Sequence, residues 1–207
     1  MNQRITNLRT KMKAQDLKAI LINNLKNVYY LTGFWGSNGT VLVTEERVVL
    51  FTDSRYTIHA HATCFPFVEI VETRNELEEA AKIVKDAAIH ELGFEDEITV
   101  AYQTRLATAF SGVSLRALSD FVMEFRLIKD ETEVATIRKA CSISDQAFLD
   151  VLEFIKVGQT TELEAATFLD FRMRELGASG VSFDIISAAG ERSAMPHATP
   201  SDRIISA

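Results

Sequence analysis

Thr40-Val41-Leu42-Val43-Thr44-Glu45-Glu46-Arg47-Val48-Val49-Leu50-Phe51-Thr52 is the stretch whose reading decides the fold. Two short runs of β-branched and apolar residues, Thr40 to Thr44 and Arg47 to Thr52, flank a charged pair. Runs of this length and composition read as strands rather than helices. Glu45-Glu46 has the length of a two-residue hairpin connection, although it lacks the Asn-Gly pair that such turns favour.

Working outward, Ile5, Leu8 and Met12 recur at helical spacing and lead into Ala19-Ile20-Leu21-Ile22, an amphipathic helix feeding a buried strand. Val28 to Leu31 gives a further strand candidate, and Phe67 to Val71 another. Leu77, Ala80, Ala81, Val84 and Ala88 share one face of a helix, after which Glu91 to Phe94 and Ile98 to Ala101 return to strand character. Helices and strands interleaved in this way predict an α/β domain, a mixed sheet with flanking helices.

Past Phe125 the texture changes. Asp130 with Glu133 makes an aspartate variant of the capping box, and Val134, Ile137, Cys141, Phe148, Val151 and Ile155 mark an apolar helical face behind it. Thr161 with Glu164 makes a second box; Leu163, Ala166, Leu169, Met173 and Leu176 follow, and Gly177 sits where a left-handed cap is usual. The boundary falls near Arg126 to Asp130, which divides the chain into residues 1–126 and 127–207. The second part holds two helices, an apolar strand starting at Ser182, a turn at Gly190 and a further strand starting near Arg203. This is too little to cover a sheet or close its edges, so it reads as half of an α+β domain with an open edge that favours pairing.

Composition narrows the function classes. Hydrophobic residues make up 47% and charged residues 25% of the 207 positions, as in an ordinary soluble globular protein. A net charge of −7 gives no overall pull toward nucleic acid or an anionic membrane. Cys64 and Cys141 lie far apart without neighbours at zinc-ligand spacing, which suits a reducing cytoplasm and suggests neither a disulfide framework nor a zinc knuckle. Met1 to Ala19 carries Arg4, Arg9, Lys11, Lys13 and Lys18 with no apolar segment, so it is read as neither signal peptide nor anchor, and no run is long enough to cross a bilayer.

A catalytic carboxylate pair, a Ser-His-Asp arrangement, a P-loop and a dinucleotide fingerprint are all absent in usable form. Gly33 to Gly39 is glycine-rich but leads into a strand, as a tight turn does. Asp53-Ser54-Arg55-Tyr56 is either a charged loop presented to a partner or substrate, or a turn or helix start anchored by Asp53. His59 and His61 lie two apart, on different faces of any helix, and make a poor metal pair. His197 follows Pro196, whose ring fixes one dihedral and pushes Met195 toward an extended conformation. On its own that stiff mount leaves three roles open for the imidazole: proton donor or acceptor, metal ligand, or loop residue.

Five segments occur in an order that carries a family resemblance: Tyr30-Leu31-Thr32-Gly33-Phe34; Phe51-Thr52-Asp53-Ser54-Arg55-Tyr56; Leu92-Gly93-Phe94-Glu95; Arg126-Leu127-Ile128-Lys129 with Glu133; and Ser182-Phe183-Asp184 through Arg192-Ser193-Ala194-Met195-Pro196-His197. In this order the chain resembles, essentially end to end, the Xaa-Pro dipeptidases and aminopeptidases P. Ala198 stands where that family often has glycine. The resemblance implies a creatinase-like N-terminal domain followed by the start of a pita-bread metallopeptidase domain. It also implies a homodimer, proline-containing dipeptides or peptides as substrates, and two divalent metal ions, manganese foremost, in the complete enzyme.

Of the residues present, the resemblance assigns a catalytic role to His197 alone, as the histidine that hydrogen-bonds substrate near the scissile bond. The family's metal ligands, two aspartates, a histidine and two glutamates, are expected beyond Ala207. No metal role is therefore given to any residue here, Asp184 and Asp202 are taken as loop or strand carboxylates, and the fragment by itself is expected to be inactive. The alternative is a non-catalytic pseudo-peptidase or a dimerisation and protein-binding module. Gly33 to Gly39 and Asp53 to Tyr56 are the candidate partner-facing loops.

Overall fold

A computed structural model describes residues 2–206. The chain divides into two compact units, one ending at Ile128 and the other beginning at Lys129. In chain order the first unit contains α1 (Gln3–Ala14), β1 (Ala19–Ile22), α2 (Leu25–Thr32), β2 (Thr40–Thr44), β3 (Val48–Thr52), α3 (Thr57–Thr63), β4 (Glu69–Glu72), α4 (Glu76–Asp86), β5 (Glu91–Glu95), α5 (Val100–Ala109), β6 (Ser114–Leu118) and α6 (Met123–Leu127).

Its six strands form one sheet in the order β4-β3-β2-β1-β5-β6. The three central strands pair antiparallel, and the pairs β3/β4, β1/β5 and β5/β6 are parallel, so the sheet is mixed as expected. Val43 faces Val48, and the Thr44 N–H donates to the Arg47 carbonyl at 2.9 Å, which leaves Glu45-Glu46 as the turn. The missing Asn-Gly signature is replaced by a side chain: Thr44 Oγ1 accepts from the backbone N–H groups of Glu46 and Arg47.

Both faces of the sheet are covered. Ile20, Ile22, Val41, Val43, Val48 and Leu50 join Ile5, Leu8 and Met12 of α1 and Val28 and Leu31 of α2 in one core. Leu21, Leu42, Val49 and Phe51 point the other way, into a second core with Leu77, Ala80, Ala81 and Val84 of α4 and Leu106 of α5. Period-2 alternation thus sends neighbouring residues into different cores, and β1, β2 and β3 are apolar at nearly every position.

Two expected strands are helices. Val28 to Leu31 lies in α2, whose first turn is capped by Asn24: its side chain accepts from the N–H groups of Lys26 and Asn27. At the other end Gly33, at φ +79°, donates its N–H to the Tyr29 carbonyl. Capping at both ends and burial of Val28 and Leu31 on one face outweigh the β propensity of valine and tyrosine. Ile98 to Ala101 is likewise the approach to α5, where Thr99 accepts from the Tyr102 N–H. The helix before β5 stops short of Ala88, whose φ is +51°, and Ile89 takes the buried position instead. No sequence expectation covered β6, an edge strand with little apolar periodicity.

The second unit contains α7 (Glu131–Phe154) and α8 (Glu162–Glu175), each opened by its expected capping box. Arg172 of α8 pairs with Asp150 of α7 at 2.6 Å, and the Phe154 and Phe168 rings stack with centroids 4.3 Å apart. Of the apolar face expected for α7 only Val151 is buried, and Val134, Ile137, Cys141 and Phe148 are exposed; the buried side chains beside Val151 are Ile143 and Ala147, which that face did not include. Ser182 to Ala188 is irregular rather than a strand, and in place of a strand near Arg203 there is a single bridge between Ile204 and Thr161. An extended segment becomes a strand only where a neighbour takes its N–H and C=O groups, and among the described residues of this unit that bridge is the one such pairing. The open sheet edge expected here is therefore not formed. Gly190 does turn the chain, at φ +57°, into a short 3₁₀ segment, Gly190–Ala194.

Candidate functional site

The segment that carries His197 is tied down at both ends by the first turn of α8. Glu162, the first residue of that helix, has no solvent exposure. Its carboxylate accepts from the Ala189 N–H at 2.8 Å, the Ser201 N–H at 3.2 Å and the Ser201 hydroxyl at 2.7 Å. Arg192 Nε donates to both of its oxygens, at 3.2 and 3.1 Å. The Ser201 hydroxyl above all, then the Ala189 amide and the Arg192 charge, outweigh burial and bring the carboxyl down to about 2. Its place at a helix N-terminus favours the same negative charge. The backbone N–H groups of Glu162 and Leu163 donate in turn to the carbonyls of Arg203 and Ser201.

Between these ties the loop is braced across its middle, where Arg192 Nη2 donates to the Thr199 carbonyl at 2.6 Å. Met195 is extended, at φ −97° and ψ 107°, as the proline after it requires. The His197 side chain is exposed and lines an open depression of about 550 Å³. The walls are mainly apolar, with Phe183, Ile185, Ile186 and Pro200 contributing, and Asp184 is the one carboxylate among them. The imidazole has no hydrogen-bond partner among the described residues, which leaves its nitrogens available to a ligand. Asp202 does not line this depression.

In the first unit the two loops singled out in the sequence meet. Asp53, almost fully buried, accepts from Arg55 Nε at 2.8 Å, Arg55 Nη2 at 2.7 Å and Asn38 Nδ2 at 2.6 Å. The Arg55 guanidinium, with help from Asn38, holds this carboxyl far below the usual carboxylate range. Ser37 and Tyr56 share a hydroxyl contact at 2.6 Å, and the Ser37 N–H also donates to the Tyr56 oxygen. Asp53 is thus the anchor of a local turn, and Gly33 to Gly39 is a turn packed beside it. The two loops present an exposed Arg55 and Trp35, the latter edge-on to Tyr29 of α2, and Ile58 at the start of α3 is 88% exposed.

Among the described residues two glutamates are buried, Glu95 and Glu162, and the sequence reading assigns neither a role. Glu95 ends β5 and accepts from the N–H groups of Asn23 and Asn24 and from Asn27 Nδ2, whose Oδ1 receives Arg126 Nη1. Burial pushes its carboxyl upward against these bonds. Glu162 carried one signal, an acidic residue between a threonine N-cap and its box glutamate, but helix starts are acidic for dipole reasons alone. Among the described residues no group of three or more His, Cys, Asp or Glu side chains could hold a metal ion. None of them fits the implied pair of divalent ions, and His59 and His61 acquire no third ligand. Cys64 is half-buried, and burial pushes its thiol up to about 11, away from reactivity. No described helix is long and apolar enough to cross a membrane.

Residues 4–128 match the model of the creatinase/prolidase N-terminal domain, and residues 135–207 match metallopeptidase family M24. An uncharacterized peptidase of Bacillus subtilis is 34% identical over 98% of this chain and 57% of its own length. A Xaa-Pro dipeptidase of Pyrococcus horikoshii is 30% identical over 99% of this chain and 57% of its own. The solved structure of a Xaa-Pro dipeptidase from Bacillus anthracis superimposes with a TM-score of 0.90 at 35% identity, over 99% of this chain and 57% of that one. The chain thus spans a little over half the length of these relatives. With a mixed sheet of matching topology, two family models in register and a match to the first that covers more than half of its residues, the chain belongs to the creatinase/prolidase family of M24 peptidases and corresponds to their N-terminal part.

Proposed function

We propose that this chain is the N-terminal part of a cytoplasmic, metal-dependent Xaa-Pro peptidase, a dipeptidase or aminopeptidase P, that hydrolyses the bond before proline. The observation that carries the reading is the exposed His197 imidazole on a proline-stiffened loop, facing a depression whose walls are apolar apart from Asp184. A prolyl ring suits such walls, and an imidazole N–H suits a carbonyl oxygen that gains negative charge as the peptide bond is attacked. In this reading His197 donates that hydrogen bond and thereby touches the substrate. The pair of divalent ions, manganese in this proposal, would be held by residues other than those described, and no step is routed through them. Residues 1–126 form the creatinase-like domain, and residues 127–207 open the catalytic one.

The fragment alone is proposed to be inactive. Purified chain supplied with manganese should not release proline from a Xaa-Pro dipeptide above the buffer rate; turnover that survives removal of contaminating peptidases would refute this. The coding sequence after codon 207 tests the wider proposal. It should encode two aspartates, then a histidine and two glutamates. Their absence would leave a non-catalytic, partner-binding module as the better reading.

One observation favours association whether or not the parent is catalytic. Trp35 packs edge-on against Tyr29 of α2, and both stand exposed, as do Arg55 and, at the start of α3, Ile58; aromatic and arginine side chains concentrate binding energy at interfaces. The proposed occupant is a second copy of the chain, giving a homodimer. Light scattering over a concentration series should show dimers that Trp35→Ala dissociates, and a monomer at high micromolar concentration would rule the dimer out.

A further inference from the structure

We infer that Glu162 is the positioning residue for His197, acting through the loop of residues 189–201 without touching substrate. The link to catalysis rests on the reading of His197 given above, whereas the link to His197 rests on geometry alone.

A fully buried carboxylate is costly unless its lone pairs are matched by donors. Glu162 is not needed as a cap, because Thr161 and Glu164 already cap α8 reciprocally. Its side-chain donors come instead from the two ends and the interior of one loop. Ala189 lies at the start, Ser201 at the end, and Arg192 bonds both oxygens from between them. One side chain therefore closes the loop, a closure whose entropic cost would otherwise be borne by weaker contacts.

The constraint reaches His197 by two short routes. Arg192, fixed by Glu162, donates onward to the Thr199 carbonyl, two residues past the histidine. On the other side the Met195 N–H donates to the Arg192 carbonyl at 2.9 Å, and the ring of Pro196 removes the remaining backbone freedom before His197. A role confined to holding α8 in place would not require that every hydrogen-bond donor to this side chain belong to the loop that carries the imidazole.

The test uses the chain itself, with its histidines isotopically labelled. His59, His61 and His90 lie in the first unit and serve as internal controls. Glu162→Gln replaces one acceptor by a donor that faces Ser201 and Arg192. The His197 resonance should shift and sharpen as the ring gains motion, and amide exchange at Ala189, Ala198 and Ser201 should quicken about tenfold or more. The other three histidines and the amides of Ile143, Ala147 and Val151 should stay as they are. Ser201→Ala, which removes one donor and keeps the charge buried, should move the same signals in the same direction by less, and decides the matter if the glutamine variant does not fold. An unchanged His197 resonance in a folded variant, or faster exchange spread evenly over α7 and α8, would overturn the inference. None of these readouts depends on peptide cleavage. A failure of the catalytic reading would show separately, as a His197→Ala parent enzyme with undiminished rate.

Discussion

In the first unit the residues of β1, β2 and β3 are buried on both faces of the sheet, whereas in the second unit α7 and α8 leave Phe148, Leu149, Leu152 and Phe171 more than half exposed. The two have comparable apolar content to bury, and only one has the partner surface to bury it against. Hydrophobic periodicity marks which face of an element is apolar; it does not say what covers that face. The difference is most easily broken by truncation. Phe51→Ala removes a side chain from a closed core and should lower the unfolding free energy of the first unit by about 3–5 kcal/mol. Phe171→Ala in the second should change stability by less than about 0.5 kcal/mol, since the ring is already 63% exposed. Urea unfolding of both variants checks this. A large loss at Phe171 would mean that the α8 face is covered in solution.

The same contrast applies to function. If His197 has the role proposed for it, His197→Ala in the full-length protein should lower kcat by roughly ten- to a thousandfold and leave metal content unchanged, because a charge-stabilising donor would be lost and no ligand removed. His90→Ala, an exposed histidine of the first unit, should leave kcat alone. Metal loss in the His197 variant would place that residue among the ligands, and equal effects at the two positions would return it to a loop role.

The sequence was most legible where a local signal and a partner surface coincide. Both capping boxes, the Glu45-Glu46 hairpin and the buried runs of β1 to β3 stand where their residues put them. Val28 to Leu31 is a helix although valine and two tyrosines suggest a strand, because the deciding groups, the Asn24 cap and the Gly33 turn, lie outside the run. The stretch from Ser182 departs from its expected strand for the opposite reason. Its pattern suits a strand, and strand formation is a property of two segments rather than one. The placement of His197 could be inferred from Pro196, but the carboxylate that fixes its loop is 35 positions away in sequence, and no spacing rule joins them.

Acid titration sharpens the comparison further, because the two buried glutamates shift in opposite directions. Glu162 is held down to about 2 from an ordinary 4.5, so its contribution is fully present above about 4.5 and is lost as pH falls toward 2. Glu95 is pushed up by burial, so the cost of its ionised form appears as pH rises from about 4.5 through its raised value and is relieved on acidification. Glu162→Gln should therefore flatten the acid limb of the second unit's stability curve, and Glu95→Gln should flatten the first unit's decline above pH 4.5. Trp35, the single tryptophan, reports the first unit by fluorescence, and amide exchange in α7 reports the second. Asp53 and Asp150, also held down by arginines, add slopes of the same sign as Glu162, so the glutamine variants rather than the raw curves carry the comparison. Slopes that both variants leave unchanged would refute the opposed assignment.

The smallest effect expected is at the helix caps, and it asks whether the second unit holds its helices as the first does. Asn24 caps α2 by accepting from two backbone N–H groups, while its own N–H is taken by Glu95. Thr161 caps α8 by accepting from the Glu164 N–H at 3.1 Å, and the Glu164 carboxylate returns to the Thr161 N–H at 2.8 Å. Replacing either by alanine leaves the returning contact to the backbone in place and removes the side-chain acceptor, a loss of about 1 kcal/mol in each case. The two positions differ in what lies next in line. Beyond Asn24 is a helix packed into a core, so the loss should appear in full as a lowered urea midpoint. Beyond Thr161 is Glu162, whose four donor groups tie the same turn to the 189–201 loop independently of the cap. If that network rather than the cap secures the start of α8, Thr161→Ala should cost visibly less than Asn24→Ala, and the pair Thr161→Ala with Glu162→Gln should cost more than the sum of its parts. Equal single losses with strict additivity would show that α8 is held at its start by the capping box, and that the buried carboxylate serves the loop alone.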